Sequence, residues 1–177
     1  DLISQAEHDE SAAAVLLSTS SKLIEEVKQE IELQLAKTAN RERATKALSG
    51  EQSALVLVES ISDAIEIANL YATEHLEIQT ERPRDVLQKI TNAGAVFLGG
   101  YSPVSLGDYL AGSNHVLPTS GQARRSSGLS VYTFLRQQQV VDFKSNALAE
   151  VSDLLTKFAD AEGLPAHGEA ARIRFSN

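Results

Sequence analysis

The sequence predicts an α/β protein with parallel strands and flanking helices, followed by a small, mainly helical C-terminal arm. Three observations carry this. Apolar runs of strand length, such as Ala54–Val58 and Ala95–Leu98, alternate with segments of helical period. The patterns succeed one another in the β-α-β order that parallel crossovers require. The amphipathic segment 146–161 lies beyond a long stretch of turn residues, apart from the strands. The 177-residue length leaves room for one domain and an appendage. A content of 42% hydrophobic and 23% charged residues is that of a globular chain, not a disordered one.

Each element has a local reason. Leu2, Ile3 and Ala6 repeat at helical spacing, with Gln5 and His8 on another face. Ala14–Leu17 is a short apolar run bounded by Ser and Thr. Ser20 caps a long helix whose stripe is Leu23, Ile24, Val27, Ile31 and Leu35. Ala54–Val58 reads as a buried strand. Ser60 with Asp63 forms a capping pair opening a helix over 61–71. Leu76–Gln79 is a short strand, and Pro83 starts a helix through Ile90 that Asn92-Ala-Gly94 ends. Ala95–Leu98 is a further buried strand, closed by Gly99-Gly100. Residues 101–130 are rich in Gly, Ser, Pro and Asn, and a loop of that length in a compact protein is usually functional. Residues 131–143 regain apolar character. The 146–161 helix then carries Leu148, Val151, Leu154, Leu155 and Phe158, and Gly163-Leu-Pro165 separates it from a last short helix.

Composition removes several function classes. With 16 Lys plus Arg against 24 Asp plus Glu, the formal charge of -8 disfavours nucleic acid and anionic membrane as partners. No apolar run approaches the ~20 residues of a membrane helix. Zero cysteines exclude disulfides and thiolate metal sites, so any zinc must use His, carboxylate or amide oxygen. The chain has no Met and starts within an apolar-periodic segment, so it is expected to be a piece of a longer protein.

The chemistry-bearing candidates are few. Gln5 and His8 lie three apart on one helix face, within reach of a shared ion. Taken alone, such a pair is ordinarily just surface. Glu74-His75 offers two adjacent proton-transfer groups of different acidity. Neighbouring strand residues point to opposite faces, so both serve one site only if the backbone turns there. Asn114–Gly121 and Ser126–Ser130 read as turn chemistry, and Arg124-Arg125 beside them could bind an anion. Gly99-Gly100 lacks the spaced glycines of a dinucleotide fingerprint.

Together the segments are far more specific. Gln5-Ala-Glu-His8, Thr73-Glu-His-Leu-Glu77, Asn92–Gly99, Leu106-Gly-Asp-Tyr109, Gly112-Ser-Asn-His-Val-Leu-Pro-Thr-Ser-Gly121, Ser126–Ser130 and Glu162-Gly-Leu-Pro-Ala-His167 occur in this order. The chain closely resembles the C-terminal portion of histidinol dehydrogenase, the NAD-dependent enzyme ending histidine biosynthesis. The resemblance implies an incomplete Rossmann-like zinc- and substrate-binding domain over residues 1–129. It implies a dimer-contacting arm over 130–177. Gln5, His8, Asp108 and His167 match zinc ligands, and Glu74 and His75 the catalytic pair. Tyr109, His115 and Glu162 match substrate-contacting positions, as do the zinc-ligand positions and His75. His167 and Glu162 would act across a homodimer. No cofactor-binding residue is expected in this chain, because the nicotinamide-binding part belongs to sequence outside it. Arg125 stands where many relatives carry an aromatic residue.

The implied reaction takes L-histidinol through L-histidinal to L-histidine, with Zn2+ and NAD, in a cytoplasmic homodimer. The 177-residue chain alone is expected to be inactive. The alternative is a non-catalytic α/β metal- or small-molecule-binding module; it is disfavoured because every position matching a ligand or catalytic group keeps the required residue type.

Overall fold

The computed structural model describes residues 1–176 and divides into two compact units, Asp1–Phe134 and Leu135–Asn177. The first unit holds four parallel strands and six α-helices among the described residues: α1 (Leu2–Ala6), β1 (Val15–Ser18), α2 (Ser21–Leu35), α3 (Arg41–Ser49), β2 (Ala54–Leu57), α4 (Ile61–Tyr71), β3 (His75–Ile78), α5 (Pro83–Leu87), β4 (Ala95–Leu98) and α6 (Val104–Tyr109), with 3-10 turns at Gln122–Arg124 and Val131–Phe134. The α/β class and parallel strands follow the sequence pattern. The strands do not form one sheet, however. β1 pairs with β2, Val15 opposite Ala54, and β3 with β4, His75 opposite Ala95. Alternation in sequence predicts parallel pairing but not which strands become neighbours. Each strand has only four residues; with a single partner, β2 keeps an unpaired edge, and Leu57 on its face stays 58% exposed.

Two helices were not evident from the sequence. α3 has Ala44 and Ala47 three apart, and these pack with Ala6 as a fully buried cluster flanked by Ile3, Leu35 and Leu48. A stripe built from alanine gives a weak periodic signal, because each methyl contributes only about 0.8 kcal/mol on burial. α6 lies inside the Gly- and Ser-rich stretch read as loop. It is six residues long and is stabilised from outside, by contacts that no local pattern announces.

The capping signals behave as predicted. Ser20 Oγ accepts from Leu23 N–H. Ser60 and Asp63 form a reciprocal capping box at the start of α4. Helix α5 ends at Leu87 rather than Ile90, and β3 starts at His75 rather than Leu76.

The second unit is a hairpin of α7 (Ser145–Ala161) and α8 (Pro165–Arg172). Gly163 takes a left-handed φ of 71°, with Leu164 N–H bonding Ala159 O and Gly163 N–H bonding Asp160 O. That pattern terminates α7 and lets Pro165 start α8. The seam is made of small residues: Ser152, Ala159, Gly168 and Ala171 are buried. The apolar stripe of α7 is largely open, with Leu154 57% and Phe158 65% exposed.

Candidate active site

The first unit builds its candidate site on the β3–β4 pair. His75, Glu77 and Phe97 share one face, since His75 and Glu77 are two apart and Glu77 lies opposite Phe97. Helix α6 is laid across that face by two contacts. Its first amide, Val104 N–H, donates to Glu77 Oε1 at 3.3 Å, placing a carboxylate at a helix N-terminus. Its middle presses on the Phe97 ring: a Cβ at Gly107 would lie 2.6 Å from Phe97 Cε1, so only glycine permits this approach. The next residue is Asp108. Its Oδ1 comes to 3.8 Å from His75 Nε2, with both side chains mostly buried.

His75 is the unusual group. Its side chain is 13% exposed, its ring packs at 6.0 Å from Phe97, and neither Nδ1 nor Nε2 has a hydrogen-bond partner. Buried polar atoms are normally satisfied, so an orphaned, mostly buried imidazole marks a candidate for binding a ligand or for proton transfer. Glu74 is half-buried immediately before β3, and its carbonyl accepts Ala95 N–H at 2.8 Å. The pair sits at the amino end of its strand, not the carboxyl end where ligands of open parallel sheets usually collect.

The remaining candidates are distributed as follows. Gln5 is on α1 and half-buried; His8 follows it and is exposed. Asp1, the cap of α1, accepts from Gln79 Nε2 at 3.1 Å, and Gln79 also donates to Glu77. The start of α1 and the start of α6 are thus tied to the same end of β3. The other end of α1 is held by α3: Arg43 donates to Glu7 O at 3.1 Å and Asn40 to the Glu7 carboxylate at 3.1 Å. Tyr109 is 77% exposed and His115 is exposed. Glu162 caps α7 and His167 lies on α8, both exposed, in the second unit. The exposed Arg124 guanidinium donates to Leu70 O at the end of α4 and to Gly121 O. Arg125 is exposed.

No three His, Cys, Asp or Glu side chains gather as a metal cage among the described residues. Within the first unit only His8 and Asp108 of the expected ligands belong to those types, and Asp108 faces His75. The donor chemistry still suits zinc: imidazole nitrogen, carboxylate and amide oxygen are all borderline-hard ligands. The glycine turn does not suit a dinucleotide: Gly99 and Gly100 stand in open space without the spaced glycines that close on a pyrophosphate. Glu77, Phe97 and Gly107, which place Asp108, were not singled out from the sequence. The period-2 pattern of His75 and Glu77 was the available signal.

A family model described as histidinol dehydrogenase matches residues 1–175. The chain belongs to the histidinol dehydrogenase family. It is 57% identical over 177 residues to the histidinol dehydrogenase of Corynebacterium glutamicum, covering all of this chain and 40% of that protein. It is 58% identical to that of Mycolicibacterium smegmatis, covering 99% of this chain and 39% of the relative. The crystal structure of histidinol dehydrogenase from Elizabethkingia anophelis superposes with a TM-score of 0.94 at 37% identity, over 98% of this chain and 40% of that one. The chain therefore spans about two-fifths of the length of these family members. Among the described residues, no helix is long and apolar enough to cross a membrane.

Proposed function

We propose that this chain is the zinc- and substrate-handling part of a cytoplasmic, NAD-dependent histidinol dehydrogenase, which converts L-histidinol through L-histidinal to L-histidine. The observation carrying this reading is the nearly buried, unpartnered imidazole of His75 beside Glu74 and facing Asp108. In this reading Gln5, His8, Asp108 and His167 hold zinc, which when bound orients the imidazole and amine of the substrate. His75 takes the proton of the substrate hydroxyl as the carbon-bound hydrogen leaves as hydride. Glu74 takes a proton from the water that adds to the aldehyde, and His75 takes the hydroxyl proton of the resulting hydrate in the second oxidation. In this reading the hydride acceptor is nicotinamide, held by residues outside this chain.

Tyr109, His115 and Glu162 complete the substrate contacts. Residues 1–129 form the chemical part and 130–177 the arm of a homodimer, through which His167 and Glu162 reach the partner's site. The exposed apolar stripe of α7 supports that docking role.

The test uses a full-length dehydrogenase carrying this sequence. NADH should form from L-histidinol, and His75→Asn should lower turnover on the order of 10²- to 10⁴-fold with zinc retained. His8→Ala should lose the zinc. A near-normal rate in the His75 variant would remove the base assignment. The 177-residue chain by itself should give no NADH; robust production would contradict the division of labour.

A further inference from the structure

We propose that Asn69, with Asn92, is a positioning residue that fixes the backbone beneath Glu74 and His75. The inference rests on the reading of that pair as catalytic. Asn69 is half-buried in the last turn of α4, six residues before His75. Its Oδ1 accepts from Thr91 N–H at 2.8 Å and Asn92 N–H at 3.3 Å, and its Nδ2 donates to Lys89 O at 2.9 Å. Asn92 answers by donating from Nδ2 to Asn69 O at 2.9 Å. One amide thus ties the end of α4 to the whole turn between α5 and β4.

That turn leads directly to Gly94 and Ala95, whose amides bond Thr73 O at 2.9 Å and Glu74 O at 2.8 Å. Thr73 and Glu74 are themselves joined to α4 by Ala72. The hydrogen bonds therefore close a ring, from Asn69 through residues 91–95 to residues 73–74 and back along the chain. The ring contains one strained link. Ala72, 1% exposed, takes the left-handed conformation at φ 54°, which a residue with a Cβ rarely adopts. Such a conformation persists only where the surroundings over-determine it. Asn69 supplies that constraint on the helix side, and the Gly94 and Ala95 amides on the strand side. Gly94 adds a steric stop, since a Cβ there would lie 2.6 Å from Glu74 O and 3.2 Å from Pro118 Cδ. Without the asparagine, Ala72 relaxes toward negative φ and carries the Glu74 backbone with it. Asn69 touches no group assigned to substrate, so its effect falls on geometry and not on binding.

The experiment is steady-state kinetics on the full-length dehydrogenase, with rates normalised to folded, active-site-titrated protein and thermal midpoints recorded. Asn69→Ala is expected to lower kcat by about tenfold to 10²-fold while KM stays within about threefold. Asn92→Ala, which removes a single bond, should lower kcat less and serves if the first variant folds poorly. Adding Ala72→Gly to either variant should recover at least about threefold in kcat, because glycine holds the left-handed conformation without strain. Gln34→Ala, which breaks a comparable amide contact to Glu30 on α2, is the control expected to leave kcat unchanged. The proposal is overturned if normalised kcat survives in both asparagine variants, if losses merely follow the folded fraction, or if Ala72→Gly gives no recovery. His75→Asn run in parallel separates the two levels: if that variant keeps its rate, the catalytic reading has failed and not the ring.

Discussion

Replacing His75 by leucine should raise stability while ending catalysis. The imidazole is 13% exposed and both its nitrogens are unpartnered, Asp108 at 3.8 Å being beyond hydrogen-bond reach. A buried polar group left unsatisfied costs about 1–3 kcal/mol. Leucine has nearly the same volume and no polar atom, so it removes that cost without opening a cavity. It forfeits the tilted contact with the Phe97 ring, worth about 0.5–1.5 kcal/mol. The balance is a gain of about 1 kcal/mol, or a rise of about 2–4 °C in Tm for a chain of this size. The assay is thermal unfolding by circular dichroism in substrate-free, metal-free buffer, with histidinol oxidation measured on the full-length protein. A fall in Tm would refute the reasoning, because it would mean that the ring nitrogens make net favourable bonds and that His75 is a structural residue. A functional group held at a stability cost is the pattern expected of a site.

Three further outcomes are expected. Ser60→Ala removes the capping box of α4 and should cost about 1 kcal/mol, lowering Tm by about 2–4 °C in the same thermal scan. Gly107→Val drives α6 away from Phe97 and widens the Asp108–His75 spacing, which a crystal structure of the variant would show and which should lower kcat in the full-length enzyme. The Ser11 hydroxyl and amide hold the Asp9 carboxyl below its ordinary 3.8, so Ser11→Ala should move it back toward that value in an NMR titration. A depressed carboxyl contributes stability above its unfolded pKa and loses it as pH falls through the folded one. The variant should therefore narrow the difference between folded and unfolded titration at acid pH.

The order of elements was legible because strand-sized apolar runs and capping residues act locally. Ser20, Ser60 and Asp63 announce their helices with hydrogen bonds that span three residues. The spacing of motifs from Gln5 to His167 was equally legible, and the family match over residues 1–175 agrees with it. Helix α3 was missed because its buried face is alanine, and α6 because its supports, Glu77 and Phe97, lie at least seven residues away in sequence. The stripe on α7 was legible as a stripe but not as an open one, since periodicity reports which residues share a face and not what covers it.

The sequence by itself determined the α/β class, the helix caps and the identity of the candidate groups, since these depend on residue type and short-range spacing. Only the tertiary structure decided that the strands pair two by two, that Asp108 meets His75, and that Asn69 bonds the turn between α5 and β4. Those facts depend on contacts between segments some 20 to 40 residues apart. Two of them rest on a missing Cβ: at Gly94 it lets the β4 end approach the Glu74 carbonyl, and at Gly107 it lets α6 press on the Phe97 ring and so brings Asp108 to His75.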